Sequence, residues 1–266
     1  MTRPAVPREA ATVVLMRDRE ADGLPEVLML QRHARDAFSA NAYVFPGGML
    51  EPADHSPLAV ALSPGLTVAE AHRRMPDVQP PEKALGYAVA AIRETFEEAR
   101  VLLARPAGGG TAPVPGGGLT AAREALHAGE LTFLDWIADR GLCLTPEKLV
   151  YFAHWITPEA NPIRFTARFF ITAAPPGAEA QSDQREVTRH VWLTPAEALR
   201  RYEAGRIKLV NATLKNLEWL ATFASTDAAL AGLSTHTVRT ILPKHVTLPD
   251  GSSKTLLPGD PGYDAA

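Results

Sequence analysis

The chain has 266 residues, 46% of them hydrophobic, and carries 27 Lys and Arg against 30 Asp and Glu for a formal net charge of −3. That composition can bury a full core, and the weak negative charge leaves no electrostatic footprint for nucleic acid or an anionic membrane surface. A single cysteine, Cys143, excludes an internal disulfide framework, and no run of about 18 apolar residues is present to span a bilayer, so a compact cytoplasmic protein is expected.

Taken in chain order, strands are predicted at 11–17 and 27–31, flanking a turn at Asp22-Gly23-Leu24-Pro25 that makes them a hairpin. Arg17 and Asp18 cut off the first apolar run, which therefore reads as a strand and not as a leader segment. The run Tyr43-Val44-Phe45 then leads into Pro46-Gly47-Gly48. Thr67 and Glu70 have capping-box spacing, predicting a short helix to Arg74, and Pro80-Pro81-Glu82 opens a long helix to about Ala104. Residues 107–118, almost all Gly, Pro, Ala, Thr and Val, predict a flexible loop. Helices follow at 119–128 and 133–140, then strands at 150–157, 164–173 and 186–193. A second capping box, Thr194-Pro195-Ala196-Glu197, starts a helix to Tyr202, and a further helix fits 212–225. The Pro- and Gly-rich tail after Leu242 is expected to lie over the surface. His154 and His190 sit within apolar strands and are read as structural. With no repeat and no clear linker, the chain reads as one α/β domain spanning 1–266.

Two segments carry chemistry. In Arg93-Glu94-Thr95-Phe96-Glu97-Glu98 the carboxylates stand at i, i+3 and i+4, one face of adjoining helical turns. Such a string is usually a solvated face, but here Ala88, Val89, Ala91, Ile92 and Phe96 make the rest of the helix apolar. Like charges at this spacing cost a few tenths of a kcal/mol per pair, which points to a cation resting on the ridge. Upstream, Gly47 and Gly48 allow positive φ or close approach of a ligand to the backbone, and Glu51 and Asp54 add hard oxygen atoms. Together the segments suggest a site for a metal-bound phosphate.

These two segments resemble the split signature of the Nudix hydrolases: Gly, five residues, Glu, seven residues, then Arg-Glu, an aliphatic, any residue, Glu-Glu, any residue, Gly. Here Gly48 is followed after five residues by Asp54, and positions 55–92 place 38 residues where the pattern has seven, an insertion of 31. Signatures interrupted in this way are similar to those of the peroxisomal coenzyme A diphosphatases, as are Phe45-Pro46-Gly47-Gly48 and the closing Leu257-Pro258-Gly259-Asp260-Pro261. The resemblance implies a Nudix-type α/β/α sandwich with a mixed sheet, carrying insertions at about 55–85 and 105–148. Those insertions are expected to form a helical cap beside the site.

Function follows from the same resemblance. It implies a Mg2+ or Mn2+ ion on Glu94, Glu97 and Glu98, with Arg93 orienting Glu97, the backbone of Gly47 and Gly48 holding phosphate oxygens, and water activated by Glu94 or a later carboxylate, for which Glu186 is the candidate. The implied substrate is a small-molecule nucleoside diphosphate derivative, with coenzyme A or an acyl derivative favoured over NADH and nucleotide sugars. A nucleotide-binding or regulatory module on the same scaffold is the contrasting reading, and a homodimer is left open. Three residues depart from the pattern: Asp54 for Glu, Thr95 for an aliphatic, and Arg100 for the Gly that would end the helix in a left-handed turn.

Overall fold

The computed structural model describes residues 4–35, 40–109, 118–247 and 251–265. The hairpin of β1 (Arg8–Asp18) and β2 (Pro25–Arg32) divides its side chains between two cores. Ala11, Val13, Leu15, Leu28 and Leu30 enter one, while Val14, Met16, Val27 and Met29 enter the other. Successive side chains of a strand point to opposite faces, so strands covered on both sides read as continuous apolar runs, as these do.

The chain continues through β3 (Ala42–Val44), β4 (Gly47–Met49), α1 (Pro57–Ala61), α2 (Val68–Arg74) and α3 (Glu82–Ala99). Then come β5 (Ala104–Pro106), α4 (Leu119–His127), α5 (Phe133–Asp139) and β6 (Leu142–Leu144). The second half holds β7 (Val150–Ile156), β8 (Phe165–Ala173), β9 (Val187–Leu193), α6 (Pro195–Glu203), β10 (Lys208–Leu209), α7 (Asn211–Leu220) and α8 (Thr226–Ser234). It closes with β11 (Thr240–Ile241), β12 (Lys244–Thr247) and β13 (Ser253–Leu256).

Nine strands form a mixed sheet in the order β10-β3-β2-β1-β8-β7-β11, with β4 also paired to β1 and β9 to β2. Along its length β1 runs parallel to β8, while its first half meets β4 and its last residues meet β2. α3 and the helices of both insertions pack on one face; α7 and α8 supply the core of the other, joined by Ala198 of α6. This is the expected α/β/α arrangement. Both capping boxes form, Thr67 with Glu70 and Thr194 with Glu197. His154 is buried, its ring nitrogens facing the hydroxyls of Thr240 and Thr166, as a structural histidine would be.

Two elements differ from the sequence expectation. The long helix ends at Ala99, not near Ala104, because Arg100 adopts the left-handed conformation (φ 56°, ψ 25°) and its N–H returns to the Phe96 carbonyl at 2.9 Å. The helix expected over 212–225 stops at Leu220; Ser225 accepts a hydrogen bond from the Ala228 N–H and so caps a separate helix, α8. The C-terminal tail, expected to lie over the surface, adds there a hairpin of β12 and β13. Of the loop expected at 107–118, residues 110–117 lie outside the described residues.

Thr95 compensates for its departure from the family pattern: it is fully buried and its hydroxyl donates to the Ala91 carbonyl at 2.7 Å. Arg100 holds a strained backbone while its guanidinium donates to the Thr120 hydroxyl at 2.9 Å. Arg100→Gly and Arg100→Ala both delete that hydrogen bond, but only glycine relieves the left-handed conformation. The glycine variant is therefore expected to be the more stable of the two by roughly 1 kcal/mol, read as the difference of their thermal midpoints; equal midpoints would show that the turn carries no strain.

Candidate active site

A cleft of about 840 Å3 opens on the sheet, within the range of small-molecule sites. Its floor is set by register. Met49 of β4, Ala10 of β1, Ala167 of β8 and Trp155 of β7 form one row across four strands. Arg8 beside Phe165 and Thr12 beside Phe169 form the rows on either side. Because side chains repeat every second residue on a face, Arg8, Ala10 and Thr12 all line the cleft. The walls come from Glu51, Arg93, Glu94 and Glu97 at one side, from 155–163 at the other, and from the start of α7 and Glu186.

Arg93 organises the acidic side. It is 5% exposed, and its Nε and Nη2 donate to the two oxygens of Asp54, each at 3.0 Å. Nη2 also donates to the Met49 carbonyl at 2.9 Å, and Nη1 reaches Glu94 at 2.8 Å and Glu97 at 3.4 Å. Burial opposes this charge, yet the Asp54 hydrogen bonds and the surrounding carboxylates hold the guanidinium above its ordinary value. The expected orienting role toward Glu97 is present, but Asp54 is the main partner. Asp54, 1% exposed, is correspondingly not the free oxygen ligand expected: both its oxygens serve Arg93, and one also accepts the Glu51 N–H at 2.8 Å.

The two glycines act differently from the expectation. Neither has positive φ. A Cβ on Gly48 would collide with the Glu94 carboxylate, and one on Gly47 would collide with the Ala11 carbonyl and Thr12 across the β1–β4 ladder. Close approach, not turn geometry, is what requires glycine. The Gly47 N–H donates to Glu98 at 2.9 Å and is thus committed to a carboxylate rather than open to a phosphate oxygen.

The three glutamates are brought together without forming a finished cage. Glu94 and Glu97 line the cleft, whereas Glu98, 2% exposed, lies behind them against Gly47. Among the described residues no three acidic, imidazole or thiol groups converge as a preformed metal nest, and Arg93 holds one oxygen each of Glu94 and Glu97. The charge balance nevertheless fits a divalent cation. Burial first, then the neighbouring carboxylates, push Glu97 up to about 7 against the pull of Arg93. Burial likewise raises Glu94, with Glu186 and Asp54 adding to it, and it raises Glu98 well above the carboxylate range, with Glu94 adding to it. Buried hard oxygens short of positive charge suit Mg2+ or Mn2+, which would favour their ionised forms.

Glu186, just ahead of β9, is exposed and lines the same cleft, where its charge acts on Glu94 and Glu98. Sequence reasoning missed the floor: Arg8, Trp155, Phe165 and Phe169 are brought together by pairing of β1 with β8 and of β8 with β7, and no local pattern marks them. It also misplaced the insertions. Among the described residues, none of 55–85 or 105–148 lines the cleft. Their apolar side chains, among them Ala71, Met75, Phe133 and Trp136, pack in the core of α3 on the other side of the sheet, so the described parts of the insertions form no cap beside the site.

Comparison with known proteins places this geometry. The NUDT19 Nudix domain model matches residues 7–220. The chain is 30% identical to a Gallus gallus protein named acyl-coenzyme A diphosphatase NUDT19, over 96% of this chain and 79% of that one. The Homo sapiens protein of that name is also 30% identical, over 89% and 72% respectively. Among solved structures, a NUDIX hydrolase from Alicyclobacillus acidocaldarius superposes with a TM-score of 0.72 at 26% identity, covering 87% of this chain and 99% of that chain.

The glycines give a contrast that can be measured. Gly48→Ala meets only the movable end of Glu94, so it should keep the wild-type thermal midpoint while lowering turnover about tenfold or more. Gly47→Ala meets backbone and should cost roughly 1–3 kcal/mol of stability. Equal behaviour of the two variants in melting and turnover would refute this division of roles.

Proposed function

The chain belongs to the NUDT19 Nudix family of diphosphate-cleaving hydrolases, and from that premise we propose that it hydrolyses coenzyme A or an acyl-coenzyme A. The observation that carries the reading is the cleft's mixed chemistry in a chain of this family. The glutamates Glu51, Glu94 and Glu97 share the cleft with an apolar group of Trp155, Ile163, Phe165 and Phe169. A diphosphate with a long uncharged arm is complementary to that pairing.

In this reading Glu94, Glu97 and Glu98 hold a divalent metal, Mg2+ or Mn2+, which when bound neutralises charge on the diphosphate and polarises its phosphorus. Asp54 and Arg93 hold Glu94 and Glu97 in place, a positioning role that needs no contact with substrate. Gly48 lets substrate and Glu94 approach the same stretch of backbone. Glu186 is assigned as the base, since Glu94 is already engaged by Arg93. Water oxygen bonds to one phosphorus, its proton passes to the Glu186 carboxylate, and the bond from that phosphorus to the bridging oxygen breaks. The products are two phosphomonoesters, 3′-phosphoadenosine 5′-phosphate and phosphopantetheine or its acyl form.

The test is a panel of coenzyme A, acyl-coenzyme A, NADH and a nucleotide sugar with Mg2+ or Mn2+, with product identification. Coenzyme A compounds should give the highest kcat/KM. Preference for NADH or the sugar would overturn the substrate, and turnover of none of them would favour a binding module. Glu97→Gln and Glu98→Gln should each lower kcat by about 10² or more with the fold intact, and Glu186→Gln should lower it by about 10² with KM little changed. Near-wild-type turnover of Glu97→Gln and Glu98→Gln at limiting metal would reject the ligand assignment.

A further inference from the structure

Among the described residues three arginines line the cleft, and their surroundings differ. Arg93 is fully engaged by Asp54, Glu94 and the Met49 carbonyl. Arg32 lies close enough to Glu98 for its charge to favour the ionised carboxylate. Arg8 is exposed, and among the described residues it enters no ion pair. Its place is fixed by pairing: its N–H donates to the Arg164 carbonyl at 2.8 Å, and its Cα partner on β8 is Phe165, another cleft residue. Arg8 stands three residues from Ala11, which pairs with Gly48 beside Glu94. That is about 10 Å along the strand at ~3.4 Å per residue, a gap that a long arginine side chain can shorten.

An arginine that meets no carboxylate among the described residues, on the floor of a cleft whose wall carries Glu51, Glu94 and Glu97, is suited to an anion brought by the substrate, most of all a phosphate monoester that its planar fork can grip through two hydrogen bonds. Coenzyme A carries such a group. Its ribose bears a 3′-phosphate one sugar ring away from the diphosphate, whereas NADH and nucleotide sugars lack it. We propose that Arg8 is a specificity-determining residue that binds the ribose 3′-phosphate of the substrate. This rests on the coenzyme A reading and deepens it: the metal-side residues cut any diphosphate, and Arg8 selects the one with a third phosphate.

The experiment compares KM and kcat for coenzyme A and 3′-dephospho-coenzyme A in the wild type, Arg8→Gln and Arg8→Lys. The wild type should show a KM for coenzyme A lower by about tenfold to a hundredfold than that for the dephospho compound, the range for a charge-assisted contact. Arg8→Gln should raise the coenzyme A value to the dephospho value, leaving the dephospho KM and both kcat values unchanged, and Arg8→Lys should recover part of the preference. Because Arg8 is exposed, the glutamine variant should melt as the wild type does. If Arg8→Gln weakens both compounds alike, Arg8 serves the diphosphate and the proposal falls; if the preference survives intact, another group reads the phosphate and it falls equally. A wild type that turns over neither compound removes the coenzyme A reading, and this inference with it.

Discussion

The pairing of Arg93 with Asp54 ties the two separated halves of the site together. Both side chains are almost wholly buried, and two parallel hydrogen bonds of 3.0 Å join them. A buried charge without its partner costs several kcal/mol, so neither residue is stable in place alone. Through this contact the loop that follows β4 is fixed to α3, and the same guanidinium reaches Met49, Glu94 and Glu97. The bond spans the 38 residues at positions 55–92, so the site's geometry is independent of the length of chain between its halves.

That independence explains how a long insertion is tolerated inside the motif. Residues 55–85 leave the site after Asp54, form α1 and α2, and return at α3 with Ala59, Leu66, Ala71, Met75 and Val78 buried. The closure entropy of a longer connection grows slowly with its length, and this burial offsets it. The inserted helices sit behind α3, on the face opposite the cleft floor, where they support the glutamate-bearing helix without touching what binds in front of it.

What could be read from the sequence was what is local. The capping pairs Thr67–Glu70 and Thr194–Glu197 and the acidic ridge depend on residues three to four apart, and each appears in the structure, whereas the end of α3 at Ala99 falls earlier than expected because the apolar run Val101-Leu102-Leu103 masks the left-handed turn at Arg100. Ser225 was legible in principle, being an N-cap residue, but a continuous apolar pattern on both sides hid the break between α7 and α8. The Gly47-Gly48 pair signalled an unusual backbone correctly and its cause wrongly, because composition cannot distinguish positive φ from a crowded approach by Glu94 or Ala11. The floor of Trp155, Phe165 and Phe169 was not legible at all. It exists only through the register of β8 on β1 and of β7 on β8.

The parallel ladder of β1 and β8 has a consequence for the order in which the protein takes shape. Every glutamate of the ridge has been synthesised by residue 98, yet the strand that completes the cleft floor ends at Ala173, 75 residues later by subtraction. Pairings of such sequence separation form slowly, and a chain emerging from the ribosome folds its early segments first. During that interval α3 has only part of its covering, since Phe170 of β8 and Val187 of β9 join its core later. The acidic part of the cleft is therefore made before its apolar part: a chain arrested before Phe165 carries Glu94, Glu97 and Glu98 but none of Phe165, Ala167 and Phe169.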